Sequence, residues 1–158
     1  MARSRFQRLE LKIPPPVVFL VCAGAMKGAA VACPFAAFDF PGRSAAAGLL
    51  FVPGAILGLG GIATFLRART TLHSDRPQGA AQLVTTGLYR ISRNPMYAGL
   101  LCALAGGVLA LGNALAGLAP LAFVVYVNRF QIRPEERALR EKFGAAFDAY
   151  AQTTRRWL

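Results

Sequence analysis

The chain has 158 residues, 55% hydrophobic and 16% charged, with a net charge of +11. A soluble domain averages about 45–50% apolar and about 25% charged, so neither a disordered chain nor an ordinary soluble globule fits, and the length suits one domain. The three cysteines, Cys22, Cys33 and Cys102, lie scattered in apolar runs, where cysteine behaves as a small buried hydrophobe, and give neither a disulfide scaffold nor a metal site.

The cations are clustered. Four precede Ile13, five lie between Arg67 and Arg93, seven follow Asn128, and only Lys27 and Arg43 fall elsewhere. Basic blocks alternating with apolar blocks mark a membrane protein with its basic segments on one side, not a nucleic-acid binder. The expected fold is an all-α integral membrane protein of one domain, residues 1–158.

The first apolar run, residues 13–38, is interrupted only by Lys27, and the second, 44–66, carries no charge. Each suits one crossing, which takes about 20 apolar residues. Pro14-Pro15-Pro16 stiffens the start of the first, and Pro53 predicts a kink in the second. Gly24/Gly28 and Gly54/Gly58 have the small-xxx-small spacing that lets helices approach closely, read here as packing within the bundle in preference to a dimer seam. A competing reading of the first run, as a signal peptide ending near Ala30-Val31-Ala32-Cys33, leaves three spans and the wrong parity.

Asn94 to Asn128 is free of charge for 35 residues. One helix of that length would be about 52 Å long against a hydrocarbon core of about 30 Å. The run therefore reads as a tight hairpin turning at Gly112-Asn113, with spans over 96–111 and 114–133 and with Arg129 and Arg133 reaching the interface. Four spans put the N-terminus, the Arg67–Arg93 segment and the tail together on the cytoplasmic side. The last element, 134–152, predicts an amphipathic cytosolic or interfacial helix. Pro134 suits its first position, Glu135 and Glu136 its first turn, and Leu139, Phe143, Ala146, Phe147 and Tyr150 form an apolar stripe.

Chemistry-bearing residues concentrate in two places. In Tyr89-Arg90-Ile91-Ser92-Arg93-Asn94-Pro95-Met96-Tyr97, Asn94 predicts an N-cap and Pro95 the first helical residue. Arg93 beside a helix N-terminus also makes a place for a carboxylate or phosphate. Glu135 and Glu136 have a plain reading as helix-start acids, with Glu136 pairing with Arg140 at i+4. At about 100° per residue, however, Glu136 falls about 35° and Glu135 about 65° from the centre of the apolar stripe, on opposite sides. Both then face the crevice that the stripe covers, which favours a ligand role for at least one. His73, the single histidine, is a candidate general base. Asn128, Arg129 and Gln131 close the fourth span and are candidate substrate contacts or simple interfacial groups.

The segments LVTTGLYRISRNPMYAG (residues 83–99) and NRFQIRPEERALREKFGAAFDAYAQTTRRWL (residues 128–158), with the opening LELKIPPP, resemble the short bacterial members of the isoprenylcysteine carboxyl methyltransferase and phospholipid methyltransferase group. The resemblance implies S-adenosylmethionine as cofactor, bound on the cytosolic side, with Tyr89, Arg93, Asn94, Pro95, Tyr97, Glu135 and Glu136 as the matching binding positions. Arg93, Glu136 and His73 are then the candidates for catalysis, and Asn128 and Arg129 for the substrate. Asn94 stands where well-known members have histidine, and Leu88 where proline is common. The implied partners are membrane lipids and a lipophilic acceptor, O-, N- or S-methylated, and the implied location is a bacterial inner membrane with both termini cytoplasmic. A small transporter or assembly subunit is the alternative from another class. It needs polar groups lining a path through the bilayer, and Lys27 is the one charge well inside a span.

Overall fold

The computed structural model describes residues 10–67 and 82–158. Helix α1, Pro15–Ala32, ends where Cys33 precedes Pro34, because proline disfavours helical backbone in the residue before it. It is shorter than the expected 13–38, and residues Pro34–Ala36 form one 3-10 turn instead. Helix α2, Arg43–Arg67, runs through Pro53 without interruption. A 3-10 turn, Gly87–Arg90, leads to helix α3, Pro95–Leu111. After the expected turn come a 3-10 segment, Ala114–Gly117, and helix α4, Leu118–Val127. Among the described residues three helical stretches are long and apolar enough to cross a membrane: Pro15–Ala32, Arg43–Arg67 and Ala114–Phe143. Helix α3 is a shorter apolar helix.

Helices α2 and α3 pack backbone to backbone. A Cβ placed on Gly99 would lie 2.6 Å from the Gly58 nitrogen and 2.7 Å from the Gly54 oxygen. Gly54/Gly58 is thus an internal seam, as expected, whereas Gly24 and Gly28 of α1 meet nothing within 4 Å. A separate apolar core joins α3 to α1 and α4 through Cys22 and Met26 of α1, Tyr97 and Leu104 of α3, and Phe123 and Val127 of α4.

The hairpin turn is fixed by Asn113, 2% exposed. Its side-chain oxygen accepts from the Leu115 and Ala116 amides, and its Nδ2 donates to the Cys33 carbonyl at 2.9 Å. Gly112 holds φ +62° at the C-terminus of α3, the left-handed conformation that glycine adopts without strain.

The expected break at Pro134 is absent. The helix continues through a π-turn, Asn128–Ile132, into α5, Arg133–Phe143. Pro134 has no N–H to give the Phe130 carbonyl four residues back, and that carbonyl instead accepts from the Leu11 amide at 2.9 Å. The break comes at Gly144, φ +52° and ψ −125°, so the tail is two helices, α5 and α6, Ala145–Thr153, not one over 134–152. The apolar stripe is interrupted accordingly: Phe147 is buried, Ala146 exposed, and Ala138 takes a core position on α5.

A methyl group forced into the α2–α3 seam has no side chain to push aside. Gly99→Ala is expected to destabilise the protein by about 1–3 kcal/mol, the usual cost of overpacking, and Gly24→Ala to leave it unchanged within about 0.5 kcal/mol. Thermal unfolding in one detergent measures both.

Candidate active site

The two motifs meet where α3 starts and α5 begins. Arg93, just before α3, donates from Nε and Nη2 to Glu136 Oε1 at 3.2 and 2.9 Å, and from Nη1 to the carbonyls of Ala151 and Thr154 at 2.9 and 2.6 Å. Glu136 is shared. Arg156 donates from Nη2 to Oε2 at 2.6 Å and from Nε to Oε1 at 3.1 Å. The expected Glu136–Arg140 pair does not form. The turn at Gly144 brings α6 back along α5, and Arg140 pairs with Asp148 at 2.7 Å and lies over the Phe147 ring.

Asn94 occupies the N-cap position of α3 but makes no side-chain cap, which corrects the expected role. Its Nδ2 donates to the Arg156 carbonyl at 2.9 Å, and its own amide donates to Ser92 Oγ at 3.0 Å. The chain end, Thr154–Trp157, lies across this corner. Arg93 N donates to the Arg155 carbonyl at 2.8 Å, and Ser92, fully buried, pairs with Arg155 in a parallel bridge. Pro95 is the buried first residue of α3.

A second cluster sits alongside. Tyr97 donates its hydroxyl to Glu135 Oε1 at 2.6 Å. Buried Tyr89 packs edge-on against Phe65 of α2, and its carbonyl accepts from the Tyr150 hydroxyl at 2.7 Å. Gly87, φ +60°, lies against Thr64, and beside it a cleft of about 410 Å³ is lined by Thr64, Arg67, Gln82 and the segment Leu83–Gly87.

The neighbouring acids behave oppositely. Both lie past the apolar part of the fourth span. Burial pushes Glu135 up to about 8, assisted by the Glu136 charge and only partly opposed by the Tyr97 hydrogen bond. Burial also pushes Glu136 up, but hydrogen bonds from Arg156 and Arg93 and the two guanidinium charges outweigh it and hold the carboxyl below its ordinary range.

The expected substrate residues have partners within the chain. Asn128 Oδ1 accepts from Trp157 Nε1 at 3.2 Å, and Arg129 pairs with Glu10 at 3.0 Å. Glu10 also takes Arg137, and Gln131 donates to the Ile13 carbonyl at 2.7 Å, so the N-terminal strap is tied across the π-turn. His73 lies outside the described residues. Sequence reasoning missed Glu10, Ser92, Arg156 and Trp157. The signal available was the single tryptophan placed next to Arg155-Arg156 beyond the last helical pattern.

The two acids predict a stability profile with two limbs. Glu135 has a raised folded pKa. Between about 4.5 and about 8 the folded protein keeps a proton that the unfolded chain has lost, so stability falls as pH rises through that window. Glu136 has a lowered folded pKa, so its contribution is present above its unfolded value and is lost as pH falls through the folded one. Glu135→Gln is expected to flatten the neutral limb and Glu136→Gln the acid limb, measured as unfolding midpoint against pH.

Comparison with known proteins identifies the family. Residues 43–146 match the phospholipid methyltransferase family profile. An uncharacterized protein of Haemophilus influenzae is 46% identical over 63 residues, covering 40% of this chain and all of that protein. Protein-S-isoprenylcysteine O-methyltransferase B of Arabidopsis thaliana is 36% identical over 106 residues, 65% of this chain and 52% of that protein, so the chain spans about half the length of this relative. No solved structure matches the chain. With the match covering both motifs up to Ala146 and a bundle of apolar helices beneath them, the chain belongs to the phospholipid methyltransferase and isoprenylcysteine carboxyl methyltransferase family of membrane methyltransferases.

Proposed function

We propose that the protein is an S-adenosylmethionine-dependent methyltransferase of a bacterial inner membrane, with four spans, both termini cytoplasmic, and a small amphiphilic acceptor. The observation that carries this reading is the cluster at the α3–α5 corner, where two guanidinium groups and two carboxylates of opposite protonation tendency meet at one end of an apolar bundle. The donor set suits the cofactor. An α-amino acid end carries an ammonium and a carboxylate, and ribose carries hydroxyls. Glu136, Arg93 and Arg156 complement the first two, and Glu135 and Tyr97 can hydrogen-bond the last.

Held there by Arg93, Arg156 and Glu136, the cofactor would supply an electrophilic methyl group on a sulfonium, whose transfer to an acceptor nucleophile would release the neutral thioether. The chain then needs no nucleophile of its own, and its contribution is positioning. Arg93 and Glu136 fix the start of α3 against α5, Tyr97 orients Glu135, and the apolar helices give a lipid-like acceptor lateral access. The preferred acceptor is a carboxylate, already ionised at neutral pH and drawn by exposed cations. Arg90 and Arg133 remain exposed for that role, whereas Arg129 is held by Glu10. An N- or S-methylated acceptor is the second reading, since the matching family profile is that of phospholipid methyltransferases and Glu135, kept protonatable near neutrality, offers a nearby base for an amine.

Calorimetry of the detergent-purified protein tests donor binding directly. Arg93→Ala and Glu136→Ala are each expected to weaken it by roughly 10- to 150-fold, the equivalent of a lost charge-assisted hydrogen bond of about 1.5–3 kcal/mol. Radiolabelled donor offered to membranes identifies the product. Label released by base as volatile methanol is expected for a methyl ester, and base-stable label in phospholipid would assign N-methylation instead. Reporter fusions at Phe40 and Asn113 are expected outside and a fusion after Leu158 inside, and a periplasmic C-terminus would remove the cofactor reading, because the donor is cytosolic.

A further inference from the structure

The ion pairs at Glu136 are unequally anchored. The Arg93 side chain is 13% exposed and also bonded to the Ala151 and Thr154 carbonyls. The Arg156 side chain is 39% exposed, and among the described residues its guanidinium bonds to Glu136 alone. Arg156 is therefore the partner that Glu136 can release. It belongs to the segment Thr154–Trp157, which follows α6. That segment is held to the start of α3 by the Arg155 and Arg156 carbonyls and to the fourth span by the Trp157 indole.

A ligand entering here meets a carboxylate and a guanidinium bonded to each other. A simple anion satisfies Arg156 but leaves Glu136 Oε2 without its donor while Arg93 stays on Oε1, and a simple cation leaves the Arg156 guanidinium without its carboxylate. A group bearing both charges replaces one ion pair by two and strands neither, which favours it over singly charged competitors. We infer that Arg156 is a recognition residue for an α-amino acid zwitterion. The Arg156–Glu136 pair opens to take its ammonium on Glu136 and its carboxylate on Arg156, and the strap Thr154–Trp157 shifts as it does so. This rests on the reading of the corner as the donor site and assigns the end of the donor that is bound there.

Trp157 is the single tryptophan of the chain, so its emission and its quenching by iodide report the strap without interference. The full chain in detergent is titrated with S-adenosylmethionine, S-adenosylhomocysteine and 5′-methylthioadenosine, which lacks the amino acid end, with calorimetry in parallel. The first two are expected to change Trp157 emission saturably at the calorimetric Kd, and methylthioadenosine to leave it unchanged. Arg156→Gln is expected to weaken S-adenosylmethionine binding about 10-fold or more, with Arg156→Lys recovering part of it, and to change methylthioadenosine affinity less than about 2-fold. Calorimetric binding of S-adenosylmethionine with no response of Trp157 and no loss in Arg156→Gln overturns the inference and leaves the donor-site reading standing. Absence of binding by every nucleoside in the wild type overturns that reading, and this inference with it.

Discussion

A carboxylate that is only 14% exposed must be met by charge, and Glu136 is met twice, by Arg93 and by Arg156. Isolated surface ion pairs contribute little, but breaking one arm of a half-buried pair leaves charge without solvent or partner. Here the arms come from the start of α3 and from the end of the chain, so one side chain on α5 fixes where three separate segments meet. The Thr154 and Ala151 carbonyls on Arg93 Nη1 and the Arg156 carbonyl on Asn94 extend the same junction into the backbone. Glu135, next in sequence, is raised by burial and has a tyrosine hydroxyl instead of a guanidinium to oppose it, so two adjacent acids differ in protonation.

The junction depends on a helix that does not stop where its sequence suggests. Pro134 removes one hydrogen bond from the helical ladder, and the π-turn at Asn128–Ile132 absorbs the mismatch, with the Arg133 amide reaching back five residues to the Asn128 carbonyl. The carbonyl freed at Phe130 receives Leu11, and Gln131 holds Ile13. The N-terminal strap and the C-terminal strap are thereby attached to the same five residues, the first through Phe130 and Gln131 and the second through Asn128. Placing Glu135 and Glu136 directly after that turn gives them a rigid base at one end of the bundle, while the α2–α3 glycine seam sets how closely α3 approaches α2.

The candidate site residues also hold the structure together. Arg93 and Glu136 tie the tail, Asn94 holds the strap, and Tyr97 holds Glu135. The Asn94 amide donates one N–H to the Arg156 carbonyl, so its side chain holds the strap and does not cap α3.

The apolar runs, the Gly112-Asn113 turn and the Gly54/Gly58 seam were readable in the sequence, because each rests on local composition or spacing, whereas Arg93 and Glu136 were brought to one site only by the family resemblance. Local rules misjudged Pro134, Asn94 and Arg140. Proline signals a break when only its own helix is considered, but here a distant amide, Leu11, compensates the lost bond. Asparagine before Pro95 signals a cap, but the Arg156 carbonyl offered its amide a partner. Arg140 suits Glu136 by helical spacing, but Gly144 folded Asp148 onto it. Helical periodicity showed that Glu135 and Glu136 both face the core, whereas the identity of their partners, Tyr97 for one and Arg93 with Arg156 for the other, depends on contacts 20 to 43 residues apart. Spacing determines which face of a helix a residue occupies, but only tertiary packing decides how deeply it is buried and which distant groups reach it, and burial raises Glu135 while the two guanidinium groups lower Glu136.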